Sequence, residues 1–127
     1  EQLAAMREQV EDSDRVAYCL DTCHMHAAGY DLSTESGYES AMQDVETILG
    51  LERVPVLHLN DSQEPCESRV DRHENIGEGT IGEEGFRCLM NDSRWNGVSK
   101  VLETPVDDDW KDDYGRNLDR LLGYVDD

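Results

Sequence analysis

The chain has 127 residues, which is enough for one domain with a hydrophobic core and too few for two. Its 30 aspartates and glutamates against 11 lysines and arginines give a formal net charge of −19, and a surface of this sign repels nucleic acid at low salt. Only Lys100 and Lys111 among the basic residues are lysines.

An acid excess of this size has two explanations. It is typical of disordered acidic proteins, and it is also typical of folded proteins adapted to high salt, where screening makes the self-repulsion tolerable. The apolar periodicity described below favours the folded alternative. The composition and the scarcity of lysine therefore predict a protein from a halophile, similar to those of haloarchaea.

The cysteines form neither a C-x-x-C pair nor a dense disulfide framework, and they are Cys19, Cys23, Cys66 and Cys88. This pattern predicts a reducing compartment. No apolar run approaches the length of a membrane span, and no basic leader opens the chain, so we expect a soluble protein of the cytoplasm. The first residue is not Met, which suggests that it is not a natural start.

The predicted elements begin with a helix followed by a strand. Leu3, Met6 and Val10 keep the spacing of one helix face. Residues 15–20 form an apolar run of strand length, bounded by polar residues. This strand leads directly into the sequence Asp-Thr-Cys-His at 21–24, so that possible metal ligands follow its carboxyl end.

Apolar residues at helical spacing predict the second helix, and they are Tyr38, Met42, Val45, Ile48 and Leu49. Thr34 or Ser36 is its candidate N-cap, and Gly50 lies just past its end. A second buried strand is predicted at 53–59. It carries His58 near its carboxyl end.

A polar segment at 60–82 comes next, and its length is unusual for a simple connection in a compact domain unless the segment is functional. A helix that contains Phe86 and ends near Asn91 follows. A third buried strand is predicted at 99–104, with Glu103 near its end. The last helix has one apolar face, made of Trp110, Tyr114, Leu118, Leu121, Leu122 and Val125.

Helices and strands thus alternate along the whole chain, without a hairpin signal between the strands. This alternation predicts an α/β fold with a parallel sheet. Such sheets place their active sites at the carboxyl ends of the strands, whether they stay open or close into a (β/α)₈ barrel. One domain over residues 1–127 is expected.

The candidate metal ligands are three histidines and three carboxylates on strand ends and in the polar segment: Asp21, His24, His58, Asp71, His73 and Glu103. Asp71 and His73 are two residues apart, so an extended backbone points both to one side. Taken alone, Asp21 could cap a turn and Asp71 could belong to a salt-bridged loop. Glu103 ends an apolar strand, where an unpartnered buried charge is costly. Together the six predict a metal site.

Three further features have open interpretations. Asp61 follows His58 in a loop mounted on a strand end, where α/β enzymes place their chemistry. The glycine-rich segment 77–82 could present backbone N–H groups to a phosphate, although a flexible loop is the simpler interpretation. Cys23 could be a thiolate ligand, although a small buried hydrophobic residue is the simpler role.

The motifs of the chain also match a known family when they are taken together. They are Asp-Thr-Cys-His at 21–24, Ala-Ala-Gly-Tyr-Asp at 27–31, His-Leu-Asn-Asp-Ser at 58–62, Ser-Arg-Val-Asp-Arg-His at 68–73, Ile-Gly-Glu-Gly at 76–79 and Leu-Glu-Thr at 102–104. In this order they closely resemble the C-terminal part of endonuclease IV, a family of zinc-dependent apurinic/apyrimidinic DNA repair nucleases built on a (β/α)₈ barrel. The resemblance implies barrel strands six to eight, roughly two-fifths of the parent fold.

The resemblance also implies a ligand assignment, since the family binds three zinc ions. One zinc would be held by Asp21, His58 and Glu103. A second would have its complete protein ligand set in His24, Asp71 and His73. The third depends on two histidines and a bridging glutamate from earlier strands, and this sequence lacks that portion.

The implied reaction is hydrolysis of the phosphodiester on the 5′ side of an abasic site in double-stranded DNA. Clustered zinc suits it, because the metal lowers the pKa of water, holds the phosphate and neutralises charge on the leaving 3′-oxygen. Arg69 and Arg72 are the basic residues beside the ligands and are candidates for phosphate contacts. We expect the chain by itself to be inactive, because one zinc site would lack its ligands.

Two alternatives remain at this point. A related metal-dependent barrel, such as a sugar isomerase or epimerase, also carries His, Asp and Glu on strand ends. The Asp71-x-His73 pair argues against it, because this pair makes a metal site that a one- or two-metal isomerase would not need. The other alternative is a non-catalytic metal-binding fragment.

Overall fold

The computed structural model describes residues 1–107 and 109–127. The helices of this part of the chain are α1 (Gln2–Glu8), α2 (Thr22–Ala27), α3 (Glu35–Ile48), α4 (Gly82–Asn91) and α5 (Trp110–Gly123). The strands are β1 (Cys19–Asp21), β2 (Val56–His58), β3 (Asp61–Ser62), β4 (His73–Glu74) and β5 (Ser99–Val101). No helix in the described residues combines the length and hydrophobicity that crossing a membrane requires.

The main sheet is parallel, in the order β1-β2-β5. Asp21 pairs with His58, and His58 pairs with Val101, so the carboxyl ends of the three strands lie side by side. The prediction of an α/β fold with a parallel sheet is confirmed. Because a (β/α)₈ barrel closes with eight strands, the three found in the described residues form a partial barrel.

The strands are shorter than predicted, and their burial differs. The apolar run 15–20 yields a strand only from Cys19, since a 3₁₀ turn occupies Ser13–Arg15 and residues 16–18 have no regular secondary structure. The third strand is not the buried element that was predicted, since Val101 is 40% exposed. β5 lies at the edge of the described sheet and pairs on one side only.

The core lies between the sheet and helices α3 and α4. Tyr38 of α3 donates its hydroxyl hydrogen to Asp92 at 2.8 Å and accepts the indole N–H of Trp95 at 3.1 Å, which ties the two helices together. Thr34 caps α3, as predicted, by accepting the N–H of Gly37. Gly50 follows that helix with φ +82°, a backbone conformation that glycine adopts easily.

The apolar face of the last helix is only partly buried. Leu121 of α5 is buried, and Tyr124 directly after the helix is buried as well. Other predicted members of that face are exposed to solvent, and they are Trp110, Leu118, Leu122 and Val125. The prediction of one core-facing stripe was therefore too broad, because the described part of the sheet is too narrow to cover the whole face.

The polar segment at 60–82 also differs from prediction. It contains β3 and β4, which pair antiparallel with Ser62 opposite His73. The pairing brings the start of the segment, next to His58, close to the Asp71–His73 pair. A segment predicted as a loop thus includes a small two-stranded sheet that positions candidate ligands.

Candidate metal centre

Three of the predicted ligands converge at the carboxyl ends of the parallel strands. Asp21 ends β1, His58 ends β2, and Glu103 follows β5 by two residues. The Nδ1 atom of His58 lies 2.8 Å from Oε2 of Glu103 and 3.6 Å from Oδ2 of Asp21. We call Asp21, His58 and Glu103 the strand-end group. Its possible ligand atoms all lie within 4.8 Å of one another, which suits a shared cation.

The other three predicted ligands, His24, Asp71 and His73, form what we call the loop group. Nε2 of His24 lies 2.7 Å from Oδ2 of Asp71, and Nε2 of His73 lies 3.1 Å from Oδ1 of the same carboxylate. The two imidazole rings are 5.9 Å apart between centroids. The carboxylate of Asp71 thus lies between two imidazole nitrogens.

Helix α2 delivers His24 to this position. Asp21 is the N-cap of the helix and accepts the backbone N–H of His24 at 3.1 Å through Oδ1. The helix has only six residues, too few for its periodicity to be recognised in the sequence. Its first turn places His24 beside the strand end that precedes it.

Asp21 joins the two groups. Its Oδ2 atom lies 3.6 Å from Nδ1 of His58 and 3.8 Å from Nε2 of His73. The structure therefore brings all six predicted residues into one continuous cluster. Glu103 is the member whose burial was mispredicted, because its side chain is 54% exposed.

The environment of His73 suits a cation. Its Nδ1 atom lies 2.9 Å from the backbone oxygen of Glu103, and a carbonyl can only accept, so Nδ1 carries the hydrogen. In the neutral ring Nε2 then has a lone pair, and this buried atom has no hydrogen-bond partner among the described residues. Its polar neighbours are the carboxylates of Asp71 at 3.1 Å and Asp21 at 3.8 Å. Acceptors converge here, and a metal ion satisfies such a set.

The charges of the loop group reinforce one another. Burial by itself would lower the pKa of His24, but its hydrogen bond to Asp71 and the negative charges of Asp21, Asp71 and Glu103 raise this pKa above its ordinary value. Burial opposes ionisation of Asp71, yet the hydrogen bond with His24 and the charge of His73 lower the pKa of that carboxyl. Asp71 therefore stays ionised and available to a cation.

Cys23 is near the loop group but differs from it chemically. The residue is fully buried, and its Sγ donates to the backbone oxygen of Arg72 at 3.5 Å. Burial is the main cause that raises the pKa of the thiol to about 11. The thiol of the metal-free chain is therefore protonated at neutral pH. The interpretation of Cys23 as a small buried residue is favoured.

Asp61 has a structural role that the sequence did not show. Its side chain is fully buried, and its carboxylate accepts backbone N–H groups at 2.8 to 3.4 Å. The donors are Ser62, Gly77, Gly79, Ile81 and Gly82. We call this arrangement the Asp61 anchor. The backbone N–H groups of the glycine-rich segment therefore bind an internal carboxylate. This role replaces both the phosphate-binding and the flexible-loop interpretations.

A further set of possible ligand atoms is formed by His26, Asp31 and Cys66. It differs from the loop group, because Nδ1 of His26 already accepts the backbone N–H of Leu32 at 3.3 Å. Asp31 Oδ1 is likewise held by the N–H and hydroxyl of Ser33. These two acceptor atoms already have donors within the protein, so the argument made for His73 does not extend to them.

Arg69 and Arg72 are exposed on the segment that leads to Asp71. Within residues 1–107 and 109–127, neither guanidinium lies within ion-pair distance of a carboxylate, unlike those of six other arginines: Arg7, Arg53, Arg87, Arg94, Arg116 and Arg120. The backbone N–H of Arg69 donates to Ala27 at 3.0 Å, which fixes this segment on the end of α2. Both arginines are thus free to contact an anion near the cluster.

Comparison with known proteins gives concordant results. A family model described as xylose isomerase-like TIM barrel matches residues 1–124. The chain is 52% identical over 125 residues to "Probable endonuclease 4" of Geobacter sulfurreducens, covering 98% of this chain and 42% of that protein. It is 47% identical over 110 residues to apurinic-apyrimidinic endonuclease 1 of Schizosaccharomyces pombe, covering 85% of this chain and 32% of that protein.

The fold has a counterpart among solved structures. The crystal structure of endonuclease IV from Thermus thermophilus superimposes with a TM-score of 0.79 at 36% sequence identity. The match covers 95% of this chain and 42% of that one. The chain therefore spans less than half the length of each of these proteins.

Proposed function

The chain belongs to the endonuclease IV family of xylose isomerase-like TIM barrels, and from this premise we propose that it is the C-terminal part of a zinc-dependent endonuclease. The proposed reaction is hydrolysis of the phosphodiester on the 5′ side of an abasic site in double-stranded DNA. Abasic DNA and zinc are thus the proposed partner and cofactor. We propose residues 1–127 to be one incomplete domain of that enzyme, located in the cytoplasm.

The observation that carries the proposal is the buried lone pair of His73. Nε2 of this ring faces carboxylate oxygens of Asp71 and Asp21, and it has no hydrogen-bond partner in the part of the chain that the structure describes. The donor set around it consists of imidazole nitrogens and carboxylate oxygens, which are ligands that Zn²⁺ accepts. We propose that the strand-end group and the loop group each hold one zinc ion, with Asp21 close to both.

Zinc bound at these groups would acidify a water molecule, hold the scissile phosphate and neutralise charge on the leaving oxygen. The protein groups orient the ligands. The backbone oxygen of Glu103 accepts the Nδ1–H of His73 and so fixes the tautomer that leaves Nε2 free. The N–H of His24 fixes one oxygen of Asp21.

An acidic chain that binds DNA needs local positive charge where it contacts the phosphates. We propose that Arg69 and Arg72 supply it, because both are exposed and have no ion-pair partner in the described residues. Contacts of this type position the phosphate backbone without reading its sequence. Replacing both by Gln should weaken binding to duplexes of any sequence equally and should reduce the dependence of binding on salt.

Zinc binding tests the proposed centre in the 127-residue chain itself. Equilibrium dialysis with Zn²⁺ should give two bound ions for the wild type and one fewer for His73→Ala. The chain has four histidines, and His26 is the one outside the cluster, so His26→Gln is the matched control and should keep both ions. Zinc binding that is absent in the wild type, or that survives His73→Ala unchanged, would contradict the proposal.

The reaction is tested with a chimera. This chain would replace the corresponding 125 matched residues in the Geobacter sulfurreducens relative. The zinc-loaded chimera should incise a duplex that contains one abasic site, and His73→Ala should abolish the cleavage. A folded, zinc-loaded chimera without incision would contradict the proposed reaction. The 127-residue chain alone should bind zinc without incising, and strong zinc-dependent incision that is lost on His58→Ala would overturn that expectation.

A further inference from the structure

Asn60 lies two residues beyond the end of β2 and is fully buried. Its side-chain amide contacts both neighbouring strand ends. Nδ2 donates to Oδ2 of Asp21 at 2.8 Å, and Oδ1 accepts the backbone N–H of Glu103 at 2.8 Å. One side-chain amide therefore links two proposed ligand residues, Asp21 and Glu103. The third member of the strand-end group, His58, ends the strand that precedes Asn60.

The backbone of Asn60 is held equally firmly. Thr22 donates its hydroxyl hydrogen to the carbonyl oxygen of Asn60 at 2.6 Å. The same hydroxyl oxygen accepts the backbone N–H of Asn60 at 2.9 Å. Because Thr22 follows Asp21 directly, this double contact fixes the amide relative to the carboxylate that it binds.

The orientation of the Asn60 amide follows from its partners. The carboxylate of Asp21 can only accept, so it must face the NH₂ group, and the N–H of Glu103 can only donate, so it must face the oxygen. Both oxygens of Asp21 then have fixed donors, His24 N–H on Oδ1 and Asn60 on Oδ2. The amide occupies one lone pair of Oδ2 and leaves the other for a cation.

We propose that Asn60 is a positioning residue of the metal centre. It acts through the Asp21 carboxylate, which lies close to both groups, and through the backbone of Glu103, whose carbonyl oxygen orients His73. The inference rests on the proposed metal centre. Partners of this kind, which orient metal ligands without touching the metal, are typically worth about 10- to 100-fold in metal affinity.

The test compares two buried asparagines in the 127-residue chain. Asn117 is also buried, and its amide bridges Ile76 N–H and Thr104. Asn117→Ala therefore removes a similar network that makes no contact with the side chain of a proposed ligand. Zn²⁺ affinity would be measured by competition with a chelator, and ligand geometry by the visible absorption spectrum of the Co²⁺-substituted chain.

A positioning role predicts that Asn60→Ala weakens Zn²⁺ binding by about 10- to 100-fold and changes the Co²⁺ spectrum. Asn117→Ala should keep the affinity and spectrum of the wild type, whatever its loss of thermal stability. Equal losses of affinity in both variants, or an unchanged spectrum in a folded Asn60→Ala chain, would overturn the inference. If the wild type binds no zinc, the metal centre itself is wrong, which is a separate outcome.

Asn60→Ser provides a second variant in case Asn60→Ala does not fold, because its hydroxyl keeps a polar group but is too short to reach both partners. A double-mutant cycle with Asp21→Asn then identifies the route of the effect. If Asn60 acts through Asp21, the Asn60 substitution should weaken Zn²⁺ binding much less in the Asp21→Asn background. Fully additive losses would overturn the proposed route through Asp21.

Discussion

Asp61 and Asp71 belong to the same polar segment, yet they lie in opposite environments. The Asp61 side chain is fully buried and accepts five backbone N–H groups of the Asp61 anchor. The Asp71 side chain is 50% exposed and faces two imidazole rings. The donors around Asp61 are fixed parts of the fold. The difference teaches that the nature of the neighbouring atoms, and not the carboxylate itself, separates a structural anion from a candidate metal ligand.

The largest effect is expected from removing the anchor. Asp61→Ala would leave buried N–H groups without an acceptor, and losses of this kind cost about 3–5 kcal/mol of the free energy of unfolding. Urea denaturation of the metal-free chain would measure it. Asp71→Asn is the comparison and should change the same quantity by less than about 1 kcal/mol, because Asp71 is half exposed. Similar losses of unfolding free energy in Asp61→Ala and Asp71→Asn would contradict the distinction between the two carboxylates.

The second prediction concerns the stability that zinc adds to the wild type and to Asp71→Asn. Zinc at 100 times the Kd of the loop-group site should raise the free energy of unfolding of the wild type by about 2.7 kcal/mol through that site alone. Asp71→Asn should lose most of this increment at the same zinc concentration, since a ligand of the loop group is gone. Melting curves with zinc and with a chelator would measure both values. An increment in Asp71→Asn equal to that of the wild type would exclude Asp71 as a ligand.

The third prediction concerns pH. The raised pKa of His24 means that the ring stays protonated to higher pH than usual, and a protonated imidazole cannot bind zinc. Zinc affinity should therefore fall as the pH is lowered through a value above 6.5. Metal-free stability should change in the opposite direction: the contribution of His24 is complete below its unfolded pKa and is lost as the pH rises through the higher folded pKa.

Titrations of zinc binding between pH 5 and 8 would check this trend, with His26→Gln as the control that should follow the wild type. Burial lowers the pKa of His26, so that ring is neutral over most of the range. Zinc affinity that does not vary with pH would contradict the assignment of His24.

The smallest of the expected effects is that of salt concentration on the melting temperature. With a net charge of −19, the chain repels itself, and the Debye length falls from about 30 Å at 0.01 M to about 3 Å at 1 M salt. The melting temperature should rise from millimolar to molar KCl, while the loss caused by Asp61→Ala should stay nearly constant, because buried groups are screened little. Equal melting temperatures at the two concentrations would contradict adaptation to high salt.

The sequence could predict that the six candidate ligands lie close together, because they lie at or shortly after strand ends or in the alternating segment 71–73, and parallel topology brings such distant residues together. It could not separate Asp61 from Asp71, because the donors that satisfy Asp61 lie up to 21 residues away. Asn60 was missed for the same reason, since its partners Asp21 and Glu103 are 39 and 43 residues distant. Helix α2 was missed because six residues show no period.

X-ray absorption at the zinc edge tests the central claim most directly, because it identifies the ligand atoms of the bound metal. The strand-end and loop groups predict only nitrogen and oxygen neighbours, at about 2.0–2.2 Å from the metal. Cys23, whose thiol has a pKa of about 11, should contribute no sulfur. A sulfur neighbour near about 2.3 Å, or zinc that stays bound when His73 and His58 are both replaced by Ala, would contradict the account.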